Sequence, residues 1–125
     1  LMMDYALDRV TFGKPLAERQ VIQFMIADSI MEIHQARLLV YDCAWRHDQG
    51  EDVRNASYMA KIVCTEMASR VVDRAIQVFG GMGLTQELPL EWMYRQLRSL
   101  RITEGATEVL RWRMAQNVLR KRSRN

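Results

Sequence analysis

Residues 56–79, ASYMAKIVCTEMASRVVDRAIQVF, decide the fold, because they carry two apolar stripes on a helical period. Met59, Val63, Met67, Val71, Ala75 and Val78 recur at three- and four-residue spacings, and Ala60, Cys64, Ala68 and Val72 run beside them at four-residue spacing. A helix with one apolar stripe buries it against one neighbour, and a helix with two needs two neighbours. The segment is therefore expected to be an inner helix of a bundle or of an oligomer interface. Small side chains on the second stripe permit a neighbouring backbone to come close.

Upstream, residues 16–46 form the longest pattern, with Ile22, Ile26, Ile30, Ile33, Val40 and Ala44 as the apolar stripe and Glu32, Gln35, Asp42 and Arg46 between them. About thirty helical residues span roughly 45 Å at 1.5 Å per residue, a length that needs partners along all of it. HDQGEDVRN, residues 47–55, supplies a polar turn at Gly50, and Asn55 or Ser57 is expected to cap the following helix. Before residue 16, LMMDYALDRV is apolar at Met2, Tyr5, Ala6 and Val10, the end of a helix that opens in mid-pattern and is expected to begin upstream of Leu1. Gly13 and Pro15 then make a loop, with Arg9 at the last helical turn, able to cap carbonyls or reach an anion.

Downstream, GGMGLTQELP ends the inner helix with Gly80 and Gly81 at its C-cap, and Pro89 opens a short helix bearing Trp92, Met93, Leu97 and Leu100. A last helix carries Val109, Leu110, Met114, Ala115, Val118 and Leu119. Between these two lies LRITEGATE, residues 100–108, which sets one carboxylate, Glu104, beside Gly105. A glycine break between helices exposes backbone N–H groups and can aim the preceding side chain into a cleft, where a carboxylate can take a proton. The expected fold is all-α: an up-down four-helix bundle with an additional short C-terminal helix pair.

Composition agrees with helices packed on helices: 49% of the 125 residues are hydrophobic, with nine Met and only two Pro. No apolar run is long enough to span a bilayer. The net charge of +3 is a tail effect, since Arg111, Arg113, Arg120, Lys121, Arg122 and Arg124 face no acid after residue 110, which leaves −3 on the residues before them. Cations at a helix C-terminus favour its dipole; the alternative is a phosphate or nucleic-acid contact, with Trp112 the one aromatic interleaved. Cys43 and Cys64 lie in helical patterns without CxxC spacing and are expected as core thiols of a reducing compartment. His34 and His47, far apart on one helix, do not suggest a shared metal ion.

Three separated stretches together resemble the C-terminal helical domain of the flavin-dependent acyl-CoA dehydrogenases: RVTFGKPLAERQ at residues 9–20, AIQVFGGMGLTQELPLEWMYRQLR at 75–98 and RITEGATEVLR at 101–111. The resemblance covers nearly the whole chain and the last third of a family enzyme, without that enzyme's N-terminal helical domain and middle β-domain. It implies a homo-oligomer, dimer or tetramer, in which this domain contacts the FAD of a neighbouring subunit. It brings Arg9 and Thr11 to the FAD pyrophosphate, Phe12 and Gln20 to the ADP half, and Gln77, Gly80 and Gly81 along the same moiety. Glu104 matches the family's catalytic base, which takes the α-proton of an acyl-CoA thioester while the β-hydrogen leaves as hydride to the flavin; the product is a trans-2-enoyl-CoA. Such a base is expected to be desolvated and aligned, with its pKa raised beside apolar substrate.

The backbone N–H of Glu104, next to Gly105 at the substrate, is implied to help hold the thioester carbonyl together with a flavin hydroxyl. Electrons then pass to an electron-transferring flavoprotein, or to oxygen in oxidases of the same fold, in a bacterial cytoplasm or a mitochondrial matrix. Two departures stand out: where the family often reads EGTSQ this chain reads EGATE, so Ala106 loses a hydroxyl and Glu108 brings a charge that Arg111 or another cation would have to neutralise near an FAD phosphate. The other classes that fit the pattern are a nucleic-acid-binding member of the fold and a purely structural oligomerisation module, in which Glu104 is a bystander.

Overall fold

In the computed structural model, which describes residues 1–123, the chain runs α1 (Met2–Asp8), a two-residue hairpin of β1 (Val10–Thr11) and β2 (Lys14–Pro15), α2 (Gln20–Asp48), α3 (Arg54–Phe79), α4 (Leu90–Leu100) and α5 (Thr107–Arg122). Arg124 of the basic tail lies outside the described residues. The fold is all-α around α3, which packs against α2, α4 and α5 and, at its C-terminal end, α1. The two stripes read on α3 are both used, and nearly every residue of its middle is at least half-buried.

The face of α2 that meets α3 differs from the expected stripe. Ile22, Ser29 and Ala36 are its buried residues, with half-buried Cys43 next in the same seven-residue series, whereas Ile30, Val40 and Ala44 are exposed. Small side chains on the contact line bring the helices close: the Cys64 thiol reaches the Ala36 carbonyl at 3.8 Å, and Ser29 keeps its buried hydroxyl satisfied by donating to Met25 O at 2.7 Å. Burial pushes the Cys64 thiol pKa up. Both cysteines are half-buried rather than fully enclosed.

Other boundaries move for identifiable reasons. Residues 16–18 form a 3₁₀ turn and Arg19 is extended, so α2 starts at Gln20; the Arg19 guanidinium donates to Thr11 O at 2.7 Å and braces the hairpin against that start. Neither Asn55 nor Ser57 caps α3. Asp52, just ahead of the N-cap Val53, takes the Arg54 N–H at 3.1 Å and is held at a pKa of about 2 by hydrogen bonds from the Arg54 guanidinium and backbone. Asn55 instead accepts from the Asn117 amide of α5 at 2.8 Å. Pro89 is the N-cap of α4 and Leu90 its first residue. Gly80 ends α3 at φ +62 and ψ −141, a positive-φ conformation that glycine adopts without steric cost.

At one end of the bundle Ala6, Ile22 and Val78 bring α1, the start of α2 and the end of α3 together, and Tyr5 stacks on Phe79 with ring centroids 4.1 Å apart. Midway along, Glu32 of α2 is clamped between Arg74 at 2.7 Å and Arg70 at 3.0 Å of α3. Large apolar side chains stay exposed at heptad spacing on the outer face of α2, at Phe24, Met31, Leu38 and Trp45, and on α5 at Val109, Trp112, Val118 and Leu119. No helix among the described residues is long and apolar enough to cross a membrane.

The Arg74 hydrogen bond, aided by Arg70, holds the Glu32 carboxyl below the usual carboxylate range. A depressed folded-state pKa contributes stability that is complete above the unfolded-state pKa and is lost as pH falls through the folded value. Glu32→Gln is expected to cost about 1 kcal/mol at neutral pH. In chemical denaturation that difference should close as the pH drops below the ordinary carboxylate range.

Candidate functional site

The turn between α4 and α5 is built to hold an unusual backbone. Ile102 and Thr103 donate to Ser99 O at 2.9 and 3.0 Å and finish α4, while buried Thr107 reaches back to Arg101 O with its N–H at 3.1 Å and its hydroxyl at 3.2 Å. Between these anchors Glu104 sits at φ +53 and Gly105 at φ +106. A non-glycine residue in the left-handed region is uncommon and persists where its surroundings enforce it. Gly105 has a second reason to be glycine, since a Cβ there would lie 3.0 Å from Leu110 Cδ2.

Lys61 of α3 enforces the turn. Its ammonium donates to Thr103 O and, at 2.8 Å, to Gly105 O, one carbonyl on each side of Glu104. The sequence reading missed this residue. Its signal was present: Lys61 is the one Lys, Arg, Asp or Glu between Arg54 and Glu66, on a stretch flanked by both apolar stripes. A charge there must find partners.

The Glu104 side chain is exposed and, among the described residues, its carboxylate has no ion-pair or hydrogen-bond partner. Nor does any backbone acceptor among them take the Glu104 N–H. The turn thus presents a carboxylate and a peptide donor from one residue. Behind it, Glu66 takes Arg111 Nη2 at 2.8 Å and lies 3.7 Å from Arg101 Nη2, tying α5 and α4 to α3. The Arg111 cation expected near Glu108 is therefore engaged elsewhere, and exposed Glu108 sits in the first turn of α5, where the helix dipole favours an anion. Ala106 is the N-cap of α5 and provides no side-chain cap. A groove of about 460 Å³ between α3 and α4, whose walls include Glu66, Arg70, Asp73, Arg98 and Arg101, is charged and unsuited to an apolar chain.

The remaining candidates gather at the other end of α3. Phe12, at the hairpin tip with φ +51, is 99% exposed; Arg9, Gln20, Gln77, Gly80 and Gly81 are exposed and Thr11 is half-buried. The Ala6, Ile22 and Val78 cluster joins the two segments that carry them. A Cβ added at Gly80 or Gly81 would meet nothing within 4 Å, so the backbone there is open to approach. A guanidinium without an ion-pair partner among the described residues, a hydroxyl, two amides, open backbone and a bare ring fit an aromatic dinucleotide with anionic phosphates. This group and Glu104 are not brought together, since Lys61 and Gly80 are about 28 Å apart along α3 at 1.5 Å per residue.

Residues 1–119 match the family model for the acyl-CoA dehydrogenase C-terminal domain, and the chain belongs to that family. It is 47% identical over 120 residues to (R)-benzylsuccinyl-CoA dehydrogenase of Thauera aromatica, an alignment covering 95% of this chain and 30% of the relative. Among solved structures it superposes on butyryl-CoA dehydrogenase from Megasphaera elsdenii with a TM-score of 0.91 at 36% identity, covering 94% of this chain and 31% of the other. It superposes on PigA in complex with FAD with a TM-score of 0.89 at 32% identity, covering 94% and 30%. The chain thus spans about a third of the length of these proteins.

Gly105→Ala is expected to destabilise the fold by about 1–3 kcal/mol through the left-handed backbone and the Leu110 contact. Gly81→Ala, which meets no atom within 4 Å, should stay within about 0.5 kcal/mol of the parent. Thermal unfolding of the two variants side by side measures the contrast.

Proposed function

We propose that this chain is the C-terminal helical domain of a flavin-dependent acyl-CoA dehydrogenase, working within a polypeptide of its relatives' length. The proposed reaction converts an acyl-CoA thioester to its trans-2-enoyl-CoA, with Glu104 as the base for the α-proton. One observation carries the reading: Glu104 is held at φ +53 between two helices, its carboxylate unpaired among the described residues and its own N–H free of backbone acceptors. A proton on a carbon next to a thioester is weakly acidic. It leaves when a positioned base and a donor to the developing enolate oxygen act together, and Glu104 can provide both, the first from its side chain and the second from its peptide N–H. The exposed carboxylate of the lone chain then has to be desolvated by substrate and by further polypeptide before it can act as the base.

FAD, when bound, supplies the acceptor for the β-hydrogen, which leaves as hydride. Arg9 and Thr11 would hold its pyrophosphate, Phe12 and Gln20 its ADP half, and Gln77, Gly80 and Gly81 the same moiety. The FAD complex of PigA, which shares the fold, supports the cofactor. The span of about 28 Å along α3 between Lys61, which holds the Glu104 turn, and Gly80 supports a homo-oligomer, dimer or tetramer, in which each copy's hairpin end serves a neighbour's cofactor. Exposed apolar faces on α2 and α5 are the surfaces for such assembly. An electron-transferring flavoprotein is the proposed recipient of the electrons.

The test is anaerobic bleaching of the flavin absorbance by acyl-CoA in the full-length, FAD-loaded protein. Glu104→Gln should slow bleaching by about 10²-fold or more while FAD content is retained. An unchanged rate would remove Glu104 from the chemistry.

A further inference from the structure

The carbonyl of Thr103 and the N–H of Glu104 belong to one peptide unit, and the Lys61 ammonium donates to that carbonyl. A cation hydrogen-bonded to an amide oxygen draws electron density from the amide and makes its N–H a stronger donor, since successive hydrogen bonds polarise one another. The second Lys61 bond, 2.8 Å to Gly105 O, fixes the peptide on the far side of Glu104 as well. Lys61 is partly buried, and among the described residues no carboxylate pairs with it, so the two turn carbonyls are its partners and the charge stays undiluted at this spot. A neutral donor would suffice to brace a turn. An ammonium placed on the peptide whose N–H faces the reaction does more.

We propose that Lys61 is a positioning residue for the dehydrogenation: through the Thr103–Glu104 peptide it polarises the Glu104 N–H, which in turn polarises the substrate's thioester carbonyl, while it also holds the Glu104 backbone left-handed. The inference rests on the reading of Glu104 as base and carbonyl donor, and the experiment separates the two. Lys61 touches neither substrate nor cofactor and acts through the turn. Donors fixed before the reaction at a site of developing charge are where small gains in hydrogen-bond strength count most.

The test uses the full-length, FAD-loaded protein in four variants, Lys61→Met, Lys61→Gln, Lys61→Arg and Glu104→Gln, each checked by thermal unfolding. The probe is the 2-enoyl-CoA product of the acyl-CoA on which the parent turns over, labelled with ¹³C at the thioester carbonyl and read by isotope-edited infrared difference spectroscopy. Lys61→Met and Lys61→Gln should shift the bound carbonyl band back toward its frequency in free enoyl-CoA and lower turnover by about tenfold or more. Lys61→Arg, which keeps the charge, should restore most of both. Should Lys61→Met fail to fold, the contrast between Gln and Arg carries the result. Glu104→Gln should abolish turnover yet leave the band at the parent position, because its peptide N–H remains. A band unmoved in Lys61→Gln, or one that moves equally in Lys61→Arg, overturns the Lys61 inference. Full turnover by Glu104→Gln instead overturns the assignment of the base and leaves the Lys61 result to be read from the band alone.

Discussion

Everything in this domain is referred to α3, and the controlling constraint is how closely its neighbours can approach it. Along α2 the contact line is Ile22, Ser29, Ala36 and Cys43, small side chains after the first, and they bring the Cys64 thiol within reach of the Ala36 carbonyl. A bulky residue on this line would push two long helices apart, because interiors this closely packed yield little. With α2 seated, Glu32 meets Arg70 and Arg74, and with α5 seated, Glu66 meets Arg111. The ion pairs fasten an arrangement that packing has already chosen.

The same helix governs both ends of the proposed site. Near its start Lys61 reaches out to the α4–α5 turn, and at its end Gly80 breaks the helix beside the hairpin that carries Arg9 and Phe12. A rigid rod between the two sets their spacing at about 28 Å. Precision at the proposed base is therefore inherited from α3, even though the Glu104 carboxylate itself stands on an exposed turn.

Much of this was legible in the sequence. The double stripe on residues 56–79 identified the inner helix, Gly80 announced its end, and Glu104 beside Gly105 marked the turn, because each depends on local periodicity or on a backbone angle that few residues accept. The register of α2 was misread since Ile30 and Val40 look like core residues but face outward, where the chain alone leaves them uncovered. The Asn117 amide was invisible for the complementary reason, its partner lying 62 residues away, and Lys61, conspicuous as a lone charge, gave no sign of which carbonyls 42 and 44 residues on it would meet; Ser29 bonds locally to Met25, and what the periodicity hid was its place on the buried line. α3 carries no side-chain cap: Asp52, one residue ahead of the N-cap Val53, takes the Arg54 N–H, and Asn55, already inside the helix, pairs with Asn117 of α5.

The central claim is that the Glu104 carboxylate removes the proton next to the thioester. Its most direct measurement is exchange of the α-hydrogens of a saturated acyl-CoA with D₂O, followed by mass spectrometry in the full-length, FAD-loaded protein. The account predicts deuterium uptake at the α-carbon with the parent protein and uptake at least about 10²-fold slower with Glu104→Gln. Equal uptake by the two proteins would contradict it.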